Sequence, residues 1–453
     1  MSQRADVVVI GMGPGGEEVA GSLAAAGLSV VGIERELLGG ECPYWGCIPS
    51  KMMIRAADLL AEARRIPGMA GASTVSPDWA PVARRIREQA TDSWDDRVAV
   101  ERFEGKGGRF IRGSARLEGR GRVAVDGTVI EASRGVVIST GATPVIPPIP
   151  GIDAVGAWTN RQMIEAETLP ASLIVVGGGS IGLELAQAWA RFGVRVTVIE
   201  PMERPLAMEE PEAGEEIGKV FAAEGIDVRC SSAVTAVSAD GGGITAQLQG
   251  GSSVSAERML VATGRRANIA GIGLETIGID PSAKSIPIDE HCRVDDGVWS
   301  VGDCTGKGAF THVAVYQARI ATADILGRPH APATYHALPR VTFTDPEVGA
   351  VGLTERQAKD RGLQLRTGIG KVATSARGWI HGPGNEGFIK LIEDADRGVL
   401  VGATSMAYAG GEILSMLAVA VHACVPTQTL RDMIYAYPTF HRGMEDALAD
   451  LHR

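Results

Sequence analysis

Two stretches of the chain carry the same succession of apolar and polar positions. Residues 6 to 10, Asp-Val-Val-Val-Ile, run apolar without alternation, the pattern of a parallel strand covered on both faces. Gly11-x-Gly13-x-x-Gly16 follows, then an alanine-rich segment with helical character up to Gly27, then a second apolar run from Ser29 to Ile33 that ends at Glu34. Much further on, Leu173 to Val176 predicts a strand, Gly177-x-Gly179-x-x-Gly182 a turn and Leu183 to Phe192 a helix. Val194 to Ile199 predicts a second strand, ending at Glu200. In both copies the glutamate stands 18 positions past the last glycine. This order of strand, glycine turn, helix and strand with a terminal carboxylate is that of a dinucleotide-binding unit. Glycines let the backbone approach a pyrophosphate, the helix start supplies N–H groups and positive potential, and the glutamate suits a ribose hydroxyl pair. One copy is weak support, since turn glycines alone explain it; two copies imply two dinucleotides.

The remaining pattern predicts helices over 54–66 and 81–90, a β-rich piece from Phe110 to Val137, a strand closed by Thr140-Gly141-Ala142, and a stiff linker from Pro144 to Pro150. Thr263-Gly264-Arg265 is a matching strand end. Val298 to Gly302 is a further apolar strand stopping at Asp303, and His312 to Leu326 a helix. From Leu338 the composition shifts to strand-like runs at 339–352, 387–392 and 399–405 and a helix from Glu412 to Ala423. The expected architecture is α/β, with two Rossmann-like dinucleotide-binding domains and an α+β C-terminal domain. Its expected boundaries are 1–150, 151–266, a returning segment 267–335, and 336–453.

Composition narrows the setting. At 453 residues, the chain is long enough for about three domains. A net charge of −10 with no offsetting basic block argues against a nucleic-acid partner. No apolar stretch approaches a membrane-spanning length, and the first apolar run starts too early to leave room for a signal peptide, so a cytoplasmic location is expected. Six cysteines in that setting are expected to stay reduced unless chemistry requires otherwise. Cys230, Cys292, Cys304 and Cys424 are scattered, and each reads most simply as a small buried hydrophobe.

Cys42 and Cys47 are different because of their surroundings, Gly39 to Lys51: Gly-Gly-Glu-Cys-Pro-Tyr-Trp-Gly-Cys-Ile-Pro-Ser-Lys. In a regular helix five positions put the Cα atoms more than about 7 Å apart, too far for a disulfide. Bonding requires a distorted helical start, with Gly46 loosening the backbone, Pro43 in a first turn and Pro49 at a bend. Such a bond is strained and easily reduced. Unrelated core thiols and, less readily, a metal site are the competing readings of the spacing alone.

The whole stretch closely resembles the redox-active segment of the flavin-dependent pyridine nucleotide-disulfide oxidoreductases, the family of dihydrolipoamide dehydrogenase, glutathione reductase and mercuric reductase. The resemblance extends over nearly the whole chain. It implies a redox disulfide between Cys42 and Cys47, FAD in the first unit and a nicotinamide nucleotide in the second. Gly11, Gly13, Gly16, Glu34, Thr140, Gly141, Gly302 and Asp303 are then the flavin-side residues, and Gly177, Gly179, Gly182 and Glu200 the nicotinamide-side ones. Glu200 accepts from a free 2′-hydroxyl and repels a 2′-phosphate, which favours NADH over NADPH; Arg204, nearby, reads as a solvated loop charge or as a phosphate partner. By the same resemblance Cys47 is the thiolate beside the flavin, Cys42 the interchange thiol, Lys51 and Glu184 a pair near the flavin, and residues 336–453 the interface domain of a homodimer that completes the partner's active site.

The C-terminal segment departs from that family. Where ordinary disulfide reductases place a histidine before Pro-Thr and a glutamate five positions later, this chain has Tyr437 and Arg442. A tyrosine hydroxyl donates a proton, but near pH 7 it does not take one up and hold it as imidazole does. His441 is expected to be structural or interfacial, on another face of the following helix. Mercuric reductases also use tyrosine there, yet this chain ends Leu451-His452-Arg453 without their cysteine pair. Pro43, Tyr44 and Trp45 are bulkier than is usual, and either shape an acceptor pocket or simply pack. The expected function is NAD(P)H-dependent reduction, through flavin and the cysteine pair, of a small-molecule acceptor. A disulfide leads, a metal ion or quinone is the alternative, and a non-catalytic redox-sensing flavoprotein is a reading of another class.

Overall fold

A computed structural model describes residues 3–451, which leaves His452 and Arg453 of the terminal tripeptide outside the described residues. Its contacts gather the chain into two compact units, one of residues 1–50, 84–145 and 265–334, the other of 51–83, 146–264 and 335–453.

In the first unit, the strand Gln3–Ile10 lies between Val30–Glu34 and Thr128–Ile138, parallel to both. Arg109–Arg112 extends the sheet on one side; Val298–Ser300 and then Arg293–Asp295 extend it on the other. Val7, Val8 and Val9 are wholly buried, so both faces of the central strand are covered, which is why its sequence does not alternate. Each such valine contributes about 1.5–3 kcal/mol of burial before chain entropy is charged against it. The helix Pro14–Ala25 crosses over to Val30–Glu34, while Thr128–Ile138 fills the other side. The carboxyl end of Gln3–Ile10 is therefore a switch point, where open α/β sheets bind ligands.

The second unit repeats the device. Ser172–Val176 lies parallel between Arg195–Ile199 and Arg258–Val261, with Asp227–Arg229 beyond, and the helix Ser180–Arg191 follows the strand. A three-stranded antiparallel sheet spans 234–256. The C-terminal part forms a five-stranded antiparallel sheet in the order Pro339–Thr342, Glu347–Gly352, Val399–Ala407, Phe388–Asp394, Leu365–Lys371. The helices Gly410–His422 and Gly443–Asp450 cover this sheet through Leu414, Leu417, Met444 and Leu448. Among the described residues no helix is long and apolar enough to cross a membrane.

Candidate active site

The glycine turns are built by close backbone approach. Gly11 has φ +88°, and a Cβ there would stand 2.3 Å from the Ser139 carbonyl oxygen; one at Gly16 would stand 2.0 Å from the carbonyl oxygen of Gly11. Gly177 and Gly182 repeat this, at 2.4 Å from Ala262 O and 2.1 Å from Gly177 O. The middle glycines differ. A Cβ at Gly13 or Gly179 would meet nothing within 4 Å, and each is the N-cap of its helix with no side chain capping the exposed N–H groups. Open space against uncapped helix starts fits a phosphate group in both places.

The two glutamates are held alike. Glu34 accepts from the N–H groups of Met12 and Glu36, both at 2.9 Å, and Glu200 from those of Gly178 at 2.6 Å and Met202 at 2.8 Å. Arg204 is neither solvated nor free for a phosphate: its guanidinium donates to the carbonyls of Leu206, Ala207 and Glu209 and so staples its own loop. On the first unit's side, Thr140 lies against Gly11 and its buried hydroxyl lacks a partner among the described residues. Gly302, at φ +84°, donates to Gln317 Oε1 at 2.7 Å. Burial raises the Asp303 carboxyl, opposed by the charge of Arg265, which lies 3.5 Å from Glu41. A carboxylate drawn out of water and an orphaned hydroxyl fit the polar chain of a dinucleotide.

The cysteine turn is fastened to the first glycine loop. Gly39 N–H donates to Met12 O at 2.8 Å, and Gly40, at φ +68°, sits so close that a Cβ would lie 2.8 Å from Gly13 Cα. Cys42 is on the short helix Glu41–Tyr44, which breaks at Trp45 before Cys47 opens the helix Cys47–Arg65. Gly46 serves here by closeness rather than looseness, since a Cβ would stand 3.0 Å from Glu41 O and 3.3 Å from Cys42 Cα. Pro49 needs no bend. It is the third residue of its helix, within the first turn, where a missing N–H costs nothing.

Both sulfurs are free thiols in this structure. Cys47 beside it, reinforced by burial, pushes the Cys42 thiol far up. Cys47 Sγ is also 3.5 Å from Thr311 Oγ1. Tyr44 and Trp45 are both buried, and the Tyr44 hydroxyl donates to Leu38 O at 3.2 Å, while Pro43 is half-buried.

Four residues past Cys47 in the same helix, Lys51 places Nζ 2.7 Å from Glu184 Oε2. The other Glu184 oxygen accepts from Phe343 N–H at 2.9 Å, and Lys51 stands 4.5 Å from the Phe343 ring centroid. At the C-terminal end, Tyr437 is 67% exposed and the Arg442 guanidinium lies 4.9 Å from its ring centroid. His441 is in the turn before the helix Gly443–Asp450, not on that helix, beside Thr439 Oγ1 at 3.4 Å and the Tyr435 ring. Cys292 and Cys304 are buried as expected, but Cys424 is exposed and Cys230 only half-buried. Cys424 lies in the positive-φ turn that ends its helix, where its side chain faces outward and meets Arg397.

Thr311 and Gln317 escaped the sequence reading. Gln317 carried a signal, as a polar residue on the buried face of the apolar helix Thr311–Ile325. Thr311 carried none beyond its place at a helix start.

Residues 5–318 match the model of the pyridine nucleotide-disulphide oxidoreductases, and residues 338–448 that of the family's dimerisation domain. The chain belongs to this family. As a pyridine nucleotide-disulphide oxidoreductase it is of an FAD-dependent kind that works with NAD(P)H. It is 33% identical to a dihydrolipoyl dehydrogenase of Chlorobaculum tepidum over 99% of this chain and 97% of that one. It is 30% identical to a mercuric reductase of Bacillus cereus over 98% of this chain and 71% of that one. Its fold resembles that of the HOCl-induced flavoprotein disulfide reductase RclA of Escherichia coli in a Cu(II) complex, with a TM-score of 0.86 at 25% identity, covering 98% and 99% of the two chains.

Proposed function

We propose that this oxidoreductase uses NADH to reduce a small disulfide acceptor through Cys42 and Cys47. The observation that carries the reading is the pair of free thiols Cys42 and Cys47 on a turn fastened to the Gly13 loop through Gly39 and Gly40. On this reading residues 1–150 and 267–335 serve FAD, 151–266 serve the nicotinamide, and 336–453 form a homodimer interface through which one protomer completes its partner's cysteine site. Gly11, Gly13, Gly16, Glu34, Thr140, Gly141, Gly302 and Asp303 hold FAD; Gly177, Gly179, Gly182 and Glu200 hold NADH. Bound FAD supplies the passage of two electrons from the nicotinamide to the cysteine pair. Lys51 and Glu184 fix each other's charge through their 2.7 Å pair.

Cys42 attacks one sulfur of the acceptor, whose S–S bond breaks; one product thiol leaves and Cys42 is held in a mixed disulfide. Cys47 then attacks the Cys42 sulfur, releasing the second thiol and closing the Cys42–Cys47 disulfide. The acceptor gains two electrons and two protons, and the dithiol loses them. Tyr437 of the partner subunit donates to each departing sulfur in turn and is reprotonated by the proton that the attacking cysteine, first Cys42 and then Cys47, gives up.

A second reading is reduction of a soft metal ion, which the tyrosine at position 437 favours, together with the likeness to a mercuric reductase and to RclA, whose structure carries Cu(II). The deciding experiment is steady-state NADH oxidation by the holoprotein over low-molecular-weight disulfides, Hg(II), Cu(II) and a quinone. Turnover highest with a disulfide supports the proposal. Turnover only with metal ions moves the assignment to the second reading, and flavin reduction without turnover on any acceptor supports a sensor.

A further inference from the structure

Away from the cysteines, His291, Asp324 and His330 offer three ligand atoms that all lie within 4.8 Å of one another. They come from separate places: the turn before the strand Arg293–Asp295, the last turn of the helix Thr311–Ile325, and the loop after it. His330 Nδ1 is 3.1 Å from the carbonyl oxygen of Ala331. A carbonyl only accepts, so Nδ1 carries the hydrogen and Nε2 presents a lone pair, the tautomer that a metal-binding imidazole takes when its other nitrogen is held. That Nε2 stands 3.6 Å from Asp324 Oδ1.

A lone pair facing a carboxylate oxygen needs a positive centre between them, either a proton or a metal ion. Asp324 does not provide one. Its Oδ2 takes Arg293 Nε at 2.5 Å and Trp299 Nε1 at 2.7 Å, and its Oδ1 takes Arg293 Nη2 at 2.8 Å, with one lone pair left over. A proton on His330 would satisfy that contact but do nothing for His291. The His291 ring lies edge-on to His330 at 5.1 Å, and its Nδ1 is buried with no partner among the described residues. A cation between the three satisfies both rings at once.

The surroundings are those of an ordered site. Asp289 accepts the backbone N–H groups of His291 and Arg293, both at 2.8 Å, and Arg293 and Trp299 orient the carboxylate. The His330 and Asp324 side chains keep 14% and 10% of their exposure and His291 37%, which leaves an entry path. We propose that His291, Asp324 and His330 bind a borderline divalent cation of the zinc class. Two imidazoles and one carboxylate suit Zn²⁺ better than Mg²⁺ or Ca²⁺, which prefer all-oxygen shells. Tetrahedral ligands of Zn²⁺ stand about 3.4 Å apart, so the Asp324–His330 pair is nearly in place and the more exposed His291 ring closes the set. The cation ties the loop after the helix to the turn at 291. Thr311, beside Cys47, is at the other end of that helix, about 20 Å away along its axis, so the ion is not on the electron path.

The test is calorimetric titration of Zn²⁺ alone into the flavin-loaded protein carrying Cys42→Ser, Cys47→Ser, Cys230→Ser and Cys424→Ser, which removes the solvent-accessible competing thiols. One equivalent is expected, and affinity is expected to fall at least about tenfold on adding His330→Ala or His291→Ala, a loss at least as large as that for an outer-shell partner. His330→Gln, with unchanged flavin content, controls for folding and is expected to bind as weakly as His330→Ala. Equal affinity in parent and variants, or no saturable binding in the parent, overturns the proposal.

Discussion

Arg442 holds its guanidinium 4.9 Å from the ring centroid of Tyr437 while pairing with Glu445 at 2.6 Å. The two positions at which ordinary disulfide reductases carry a histidine and its orienting glutamate still touch here, but as a cation over an aromatic ring. Such a contact is worth about 0.5–1 kcal/mol at an exposed site, enough to steady a phenol and too little to anchor the fold.

Tyr437→Phe keeps the ring and removes the proton. With a disulfide acceptor, kcat is expected to fall by about 10²-fold, the low end for loss of a general acid, while a dye reduced directly by flavin is expected to turn over unchanged. Steady-state kinetics with both acceptors checks this; equal loss with both would place Tyr437 outside proton transfer.

Glu200 presents its carboxylate at the end of the second unit's motif, and Arg204, the counter-charge its sequence neighbourhood offered, is spent on backbone carbonyls. NADH is therefore expected to exceed NADPH in kcat/KM by at least about tenfold, the ratio that ~1.4 kcal/mol of repulsion produces. Glu200→Gln is expected to narrow the ratio. A preference for NADPH would contradict this account of Glu200.

Arg191, 3% exposed, pairs with Asp58 at 2.7 Å, Glu224 at 2.6 Å and Asp345 at 2.8 Å. Arg191→Met leaves three carboxylates clustered without that charge, which is expected to cost about 3–5 kcal/mol. Denaturant unfolding measures it, and a loss under about 1 kcal/mol would show that the cluster reorganises freely.

Burial raises the Glu347 carboxyl from 4.5 to about 7, with Gly411 N–H opposing and Asp58, Glu412 and Asp345 reinforcing. A carboxyl raised on folding binds more protons in the folded chain, so its contribution to stability is complete below pH 4.5 and is lost as pH climbs to about 7. Glu347→Gln removes that loss. Between pH 5 and pH 8 the variant's unfolding free energy is expected to decline by about 2–3 kcal/mol less than that of the parent chain. Parallel pH profiles would contradict it.

What could be read from the sequence was whatever is periodic or locally spaced. Uninterrupted Val-Val-Val-Ile and Leu-Ile-Val-Val runs marked the central strands because both faces are buried, and Gly11 and Gly16 marked a turn because a Cβ would collide there, with Gly13 open between them. The Lys51–Glu184 contact was reached only by resemblance, since 133 positions separate the two. Side chains gathered from distant segments left no local trace: Arg191 with Asp345, Arg442 over Tyr437, and the histidines around Asp324 look like ordinary surface residues until the chain is folded. Arg204 was misread for the same reason, because the loop that turns its carbonyls inward is invisible in composition.

The most direct test of the account is turnover of Cys42→Ser. In an anaerobic assay, the flavin of this variant is expected to be reduced by NADH as in the parent, while steady-state reduction of a disulfide acceptor is lost. Full activity with the disulfide acceptor after Cys42→Ser would contradict the route through Cys42 and Cys47.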